Sequence, residues 1–350
     1  MMIHFVYSVP PPAGRLSLKL NRLYRWLRRR APYLPVPWRN GLSRWGGRII
    51  PAPASITQHL YTFLAERQPT RLYDLDERLR LVFSEDDIIL GHPWPHPATI
   101  MQQAMRSPQK CRLKALIFPI HHGIPSINAS AAPLVERADV VFGIMGPYWY
   151  DTLEKSAFAL WKPKIIRLDM AVDARQYPRV KREFNPPGQR GYLYIGSNRP
   201  EKGCDVLSRT MAGLPEFKRG WIGFGREIPH LRHISSAVEL TRDFIARLCQ
   251  QYDFFINTSV SDANPTTILE AMAWGLPVAC TPQSGYYDMP ELVMLSTTDI
   301  EHNIHALKAL QYAPESELER ISQANAERVH SYYTWDRFCK TVWDTVSLYL

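Results

Sequence analysis

Two doubly wound α/β domains in tandem are what this sequence predicts, and three observations carry the prediction. Short apolar runs alternate with helical segments along most of the chain. That alternation restarts after a polar stretch containing Pro-Pro-Gly, at residues 180–191. The chain has 350 residues, long for one hydrophobic core. Continuous apolar strands separated by helices indicate parallel sheets covered on both faces.

The elements follow in order. "IHFVYSV" (3–9) reads as a first strand, stopped by Pro10-Pro11-Pro12. In "GRLSLKLNRLYRWLRRR", Leu16, Leu20, Leu23 and Leu27 share one helical face, and Arg15, Lys19, Arg22 and Arg29 fall away from it. Pro32 and Pro35 end this basic amphipathic helix, and a second helix is expected near Ser55–Glu66. "DIILGH" (87–92), "LKALIFPI" (113–120), "DVVFGI" (139–144) and "KIIRLD" (164–169) read as buried strands. The polar stretch 180–191 reads as a linker. "GYLYIGS" (191–197), "GWIGFG" (220–225), "YDFFINTS" (252–259) and "PVACT" (277–281) are strands of the second half. Two helices are expected at the end, over Ser316–His330 and Trp335–Leu350.

Composition narrows the function classes. Hydrophobic residues make up 45% of the chain, and no apolar run is long enough for a transmembrane helix. The start lacks the features of a signal peptide. The five cysteines are scattered, with no CxxC or Cys/His cluster, which argues against a disulfide framework or a zinc site and for a cytoplasmic setting. The net charge of +9 is uneven: no Asp or Glu precedes Glu66, whereas ten Lys or Arg residues lie between Arg15 and Arg48. A basic helix over Arg15–Arg30 carrying Leu, Tyr24 and Trp26 suits an anionic membrane surface, or simply packs its Leu face on its own sheet. No basic strand array interleaved with aromatics is present, so nucleic acid is not an expected partner.

The stretch "SDANPTTILEAMAWGLPVACT" (261–281) concentrates the chemistry. Asn264 reads as an N-cap, Pro265 as the first helical residue, and Thr266 and Thr267 as carriers of free backbone N–H groups. Such a helix start is an anion site. Thr266, Glu270 and Trp274 share the face away from the sheet. Glu270 is either a solvated surface charge or an acceptor for vicinal hydroxyls, as in ribose recognition; Trp274 beside it favours a covered surface.

Here the sequence resembles the family-4 retaining glycosyltransferases, also called glycosyl transferases group 1. The signature is an acidic residue, seven residues, then Glu followed by Ala-Met-Ala-x-Gly-x-Pro-Val, met here by Asp262 and by Glu270 in "EAMAWGLPV". "YIGSNRPEKGCDVL" (194–207) resembles the family's strand–loop–helix ending in Glu-Lys-Gly, "ARQYP" after "LDMAVD" its domain-closing segment, and "YYTWDRFCKTVWDTV" its last helix. The likeness is strong from about Tyr192 onward.

The resemblance implies a GT-B fold: an acceptor-side domain over 1–184, a nucleotide-sugar domain over 185–333, and a helix over 334–350 crossing back to the first. It implies retaining transfer of a sugar from a nucleoside-diphosphate donor, a UDP-sugar first among them, to a saccharide acceptor in cell-surface polysaccharide synthesis, without a metal; the basic helix Arg15–Arg30 fits a lipid-linked acceptor at the inner face of a membrane. By position, Glu270 is to bind ribose, Asp262 the donor sugar and Lys202 the diphosphate. Backbone around Asn264, Pro265, Thr266 and Thr267 is to face the donor, beside Gly196. Two departures stand out: the first acid is Asp rather than Glu, and Ser197 occupies the place of a phosphate-binding Arg, with Arg199 two residues on as its replacement or as a solvated loop charge. On the acceptor side, Gly14 sits in the first strand–helix loop. His121 and His122 follow a strand, His122-Gly123 fitting the family's His-Gly best. Other readings are a GT-B-type sugar-nucleotide epimerase or hydrolase, and a non-catalytic GT-B-like binding protein.

Overall fold

The computed structural model describes residues 1–8, 52–75, 77–78, 80–173, 177–236 and 241–350. The basic segment Arg15–Arg30 and Gly14 lie outside the described residues.

The first sheet has six parallel strands: β1 (Ile3–Tyr7), β2 (Thr70–Asp74), β3 (Ile88–Gly91), β4 (Leu113–Pro119), β5 (Val140–Ile144) and β6 (Ile165–Leu168), in the order β2-β1-β3-β4-β5-β6. Alternate residues go to opposite faces, as the strand pleat requires. Phe5, Leu90, Ile117 and Phe142 join one buried cluster, while Val6, Ile89, Leu116 and Val141 join another. Both faces are therefore dry, which is why the sequence reads as unbroken apolar runs rather than alternation.

The second sheet contains β7 (Tyr192–Ile195), β8 (Arg219–Ile222), β9 (Arg232–Ser235), β10 (Phe254–Asn257), β11 (Val278–Cys280) and β12 (Val293–Met294). Its order is β12-β11-β10-β7-β8-β9, all parallel. Numbered from β7, this is the 3-2-1-4-5-6 order of a dinucleotide-type fold, with its switch point between β7 and β10. The first sheet has its switch point between β1 and β3. The two switch points face each other across a cleft.

Three strands carry no strand signal in the sequence: β2, β9 and β12. Each lies at a sheet edge. An edge strand is half-covered, so "TRLYD" and "RHIS" remain polar and show no apolar run.

The segment 180–191 is no loose tether. Val180 and Lys181 donate backbone N–H groups to the Trp274 carbonyl at 2.9 and 2.8 Å. Lys181, 3% exposed at its side chain, forms a 2.7 Å ion pair with the fully buried Asp253. Arg190 is also buried and donates to the carbonyls of Asn185, Gln311 and Ala313. Its charges look solvated in the sequence because all their partners but the Asn185 carbonyl lie more than 60 residues away.

The helix α1 (Ala52–Ala65) covers the first sheet. The last long helix, Trp335–Val346, packs on it, with His59 and Trp335 stacked at 4.4 Å. Phe338, Cys339, Val342 and Val346 enter the same cluster as Ile56, Leu60 and Phe5. Phe338→Ala should therefore lower the unfolding free energy by about 3–5 kcal/mol, measured by denaturant titration, although the residue lies far from the first domain in sequence.

Candidate functional site

The site is assembled where the loops after β7 and β10 meet. After β7 the chain turns through Gly196 and Ser197, passes a short 3₁₀ turn at Pro200–Lys202, and enters α2 (Cys204–Ala212). Gly203 joins turn to helix at φ +60°, and a Cβ there would overlap the Thr258 carbonyl. Glycine is required both for the left-handed backbone and for the close approach. Val260 and Ser261 donate to the Glu201 carbonyl at 3.0 and 3.1 Å. Thr258 Oγ1 donates to the Gly203 carbonyl at 2.9 Å. This seam sets Lys202 beside Asp262, and their side chains form an ion pair.

The helix α3 (Thr266–Trp274) then begins. Its N-cap is Pro265, not Asn264. The Asn264 side chain accepts from the Met170 backbone N–H of the first domain, and its Nδ2 remains buried without a partner among the described residues. A long-range bond has taken the oxygen that a local cap would use. The Ile268 N–H turns back to the Pro265 carbonyl, and the N–H groups of Thr266 and Thr267 have no partner among the described residues.

Between the domains lies a cleft of about 380 Å³. Gly196, Ser197, Lys202, Asp262 and residues 264–267 line its second-domain wall. Tyr7, Ile56, His92, Pro119, Ile144 and Met170 line the first-domain wall. One wall is polar and charged, and the other carries no charged side chain among the described residues.

The remaining expected residues fall elsewhere. Arg199 is 70% exposed at its side chain, with Glu201 at 3.9 Å, and does not line the cleft. His121 is bonded to Ser261 Oγ at 2.6 Å, bridging the domains next to Asp262. His122 points to Thr152 Oγ1 at 2.8 Å. The Thr152 hydroxyl donates to the Tyr148 carbonyl, so it accepts from His122 Nε2–H. Neither histidine lines the cleft.

The imidazole that does is His92, at the end of β3. Burial holds its pKa down to about 4, and its Nδ1 is buried without a partner among the described residues. A neutral ring with an unused nitrogen is suited to a hydroxyl. In the sequence His92 is only the last letter of an apolar run. The topological signal, the residue after the strand at the switch point, needs the strand order to be seen.

Glu270 stands one turn into α3, behind Thr266, and is half-buried. Burial pushes its carboxyl up to about 7, against a hydrogen bond from Thr266 that pulls it down. Trp274 on the same face is fully buried beneath Tyr177, ring centroids 6.1 Å apart. The covered surface expected from the sequence is thus made by the segment joining the domains. Because the folded pKa lies above the ordinary value of 4.5, the native state binds a proton between these values that the unfolded chain releases. Stability from this group is full below that range and is lost as pH rises through about 7. Glu270→Gln should therefore raise the melting temperature at pH 8 and leave it unchanged at pH 4, with a difference of at most about 3 kcal/mol, read by calorimetry across pH.

Comparisons with known proteins bear on the fold and on part of the second domain. The family model described as glycosyl transferases group 1 matches residues 189–310. Sulfoquinovosyl transferase SQD2 of Arabidopsis thaliana is 25% identical over 170 residues, covering 45% of this chain and 33% of that protein. The chain thus spans about a third of the length of that curated relative. Sucrose-phosphate synthase from Thermosynechococcus elongatus superposes with a TM-score of 0.62 at 14% identity, covering 99% of this chain and 98% of the other. WaaG, a glycosyltransferase involved in lipopolysaccharide biosynthesis, gives 0.58 at 12% identity, covering 99% and 100%. TarM gives 0.56 at 12% identity, covering 76% of this chain and 55% of its own. At such identities the likeness to solved structures speaks to the fold, while the family match speaks to the second domain. The two facing sheets share the GT-B fold of these glycosyltransferase structures, and residues 189–310 of the second domain match the group 1 model.

Proposed function

We propose that this protein transfers a sugar, with retention, from a nucleoside-diphosphate donor, a UDP-sugar foremost, to a saccharide or lipid-linked acceptor in cell-surface glycan synthesis. One observation carries the proposal: a lysine, a carboxylate and a free helix N-terminus meet at the switch point of a dinucleotide-type sheet and face a cleft. Lys202 and the amides of Thr266 and Thr267 would stabilise the leaving diphosphate electrostatically. Asp262 would accept hydroxyls of the donor sugar, and Glu270 those of the ribose. His92, held neutral, can exchange hydrogen bonds with a sugar hydroxyl without adding charge.

Asp262 is the only carboxylate lining the cleft among the described residues. A double displacement needs one carboxylate as nucleophile and another as acid and base. A same-face displacement, in which the departing diphosphate takes the acceptor proton, suits this wall better. Lys202 is engaged by Asp262 before the donor arrives, so the diphosphate competes with that carboxylate for the ammonium.

Release of nucleoside diphosphate from a panel of nucleotide-sugars tests the reading. Lys202→Ala should reduce release by roughly 10²–10³-fold, and turnover should persist in EDTA. Release that no acceptor accelerates would mean a hydrolase and would sink the transfer reading.

No helix among the described residues is long and apolar enough to cross a membrane. We assign the membrane contact to the basic segment Arg15–Arg30, whose charge suits anionic headgroups. Replacing Arg28, Arg29 and Arg30 by Glu should weaken sedimentation with phosphatidylserine vesicles; unchanged binding would refute the assignment.

A further inference from the structure

One exposed aromatic, outside the lining of the cleft, packs against a side chain of its apolar wall. Trp94 is 40% exposed. Its ring lies 5.9 Å from that of His92, which lines the cleft. Among the described residues, the other exposed large hydrophobics have no ring contact with a cleft-lining side chain. Exposure of one aromatic means little by itself; its mounting is the second observation. Trp94 stands between Pro93 and Pro95, with Pro97 beyond, so the backbone torsions are restricted on both sides. Its N–H donates to the His92 carbonyl at 2.8 Å, and its carbonyl accepts from the buried Gln102 at 3.0 Å. The Thr99 hydroxyl closes the loop on the His96 carbonyl at 2.9 Å. A large, flat, apolar surface is thus held partly in water beside a cleft-lining imidazole, on a loop whose ordering cost has already been met by folding.

We propose that Trp94 is the stacking platform of the acceptor subsite and takes the apolar face of a neutral pyranose ring. The inference rests on the glycosyl-transfer reading above. Donor and acceptor must meet between the two walls, and the second-domain wall holds the charged groups suited to the donor. The first-domain wall offers Tyr7, Ile56, His92, Pro119, Ile144 and Met170. These present apolar surface and, at His92, a neutral hydrogen-bonding nitrogen. Among the described residues such a wall carries no charge, and it matches a sugar that shows C–H groups on one face and hydroxyls at its rim rather than a ring carrying phosphate or carboxylate there.

Saturation-transfer NMR on the full chain with UDP present tests this, using the methyl α-glycosides of glucose, galactose and mannose as probes and glucose 6-phosphate as the charged contrast. At least one methyl glycoside should receive saturation from the wild type, more strongly than glucose 6-phosphate. Trp94→Ala should reduce that signal about fivefold, the size of an aromatic stacking contribution. Trp94→Phe should retain most of it, and UDP signals should be equal in all three proteins. Equal glycoside signals in wild type and Trp94→Ala overturn the proposal, as does a wild type that takes up none of the glycosides or prefers glucose 6-phosphate. Loss of UDP binding in the wild type would instead count against the donor site.

Discussion

The site depends on one constraint: residues 261–264 are gripped by both domains at once. From the first domain, Trp149 Nε1 donates to the Asp262 carbonyl at 2.6 Å and Gly146 N–H to the Ala263 carbonyl at 2.9 Å. His121 holds the Ser261 hydroxyl, and the Met170 amide holds the Asn264 side chain. From the second domain, Gln283 accepts the Asp262 N–H at 2.9 Å, and Glu201 anchors Ser261. The Asp262 carboxylate is aimed by a backbone that neither domain fixes alone. Two glycines make this possible. A Cβ on Gly146 would strike the Gly285 carbonyl, and Gly285 itself needs φ +97°. The domains touch there through backbone, with no side chain between them.

This grip makes the site sensitive to how the domains are apposed. Each bond from Trp149, Gly146, His121 and Met170 crosses between domains, so opening the cleft on that side would release Asp262 as well as admit solvent. The Lys202–Asp262 pair lies half-buried, where a charge pair is only partly screened.

How much of this was legible in the sequence follows from where the partners lie. The central strands were legible because both faces are buried and the apolar runs are unbroken. The edge strands β2, β9 and β12 were not, because half of each strand's surroundings is solvent. Lys202, Asp262 and the start of α3 were legible through motif spacing, since the contacts that unite them begin at residues fixed by Gly203 and the β10 loop. Asn264 was misread as a cap because its oxygen is claimed by an amide 94 residues upstream. The contacts of His121 with Ser261 and of His122 with Thr152 do not show in a local reading, and His92 acquires its place only from strand order. The segment 180–191 read as a solvated linker for the same reason: Asp253 and the carbonyls near Gln311 are invisible to a local reading.

The helix at Trp335–Val346 has a consequence for how the molecule is made. It covers α1 and closes a cluster that begins at Ile3 and Phe5. During synthesis, the first sheet and α1 can form early, yet the helix that covers α1 is still more than 200 residues from being translated when β4 emerges. Domains usually complete in the order in which they leave the ribosome. Here the cluster that begins at Ile3 is completed only once Trp335–Val346 has been made, so the first domain reaches its full packing after the second has been translated.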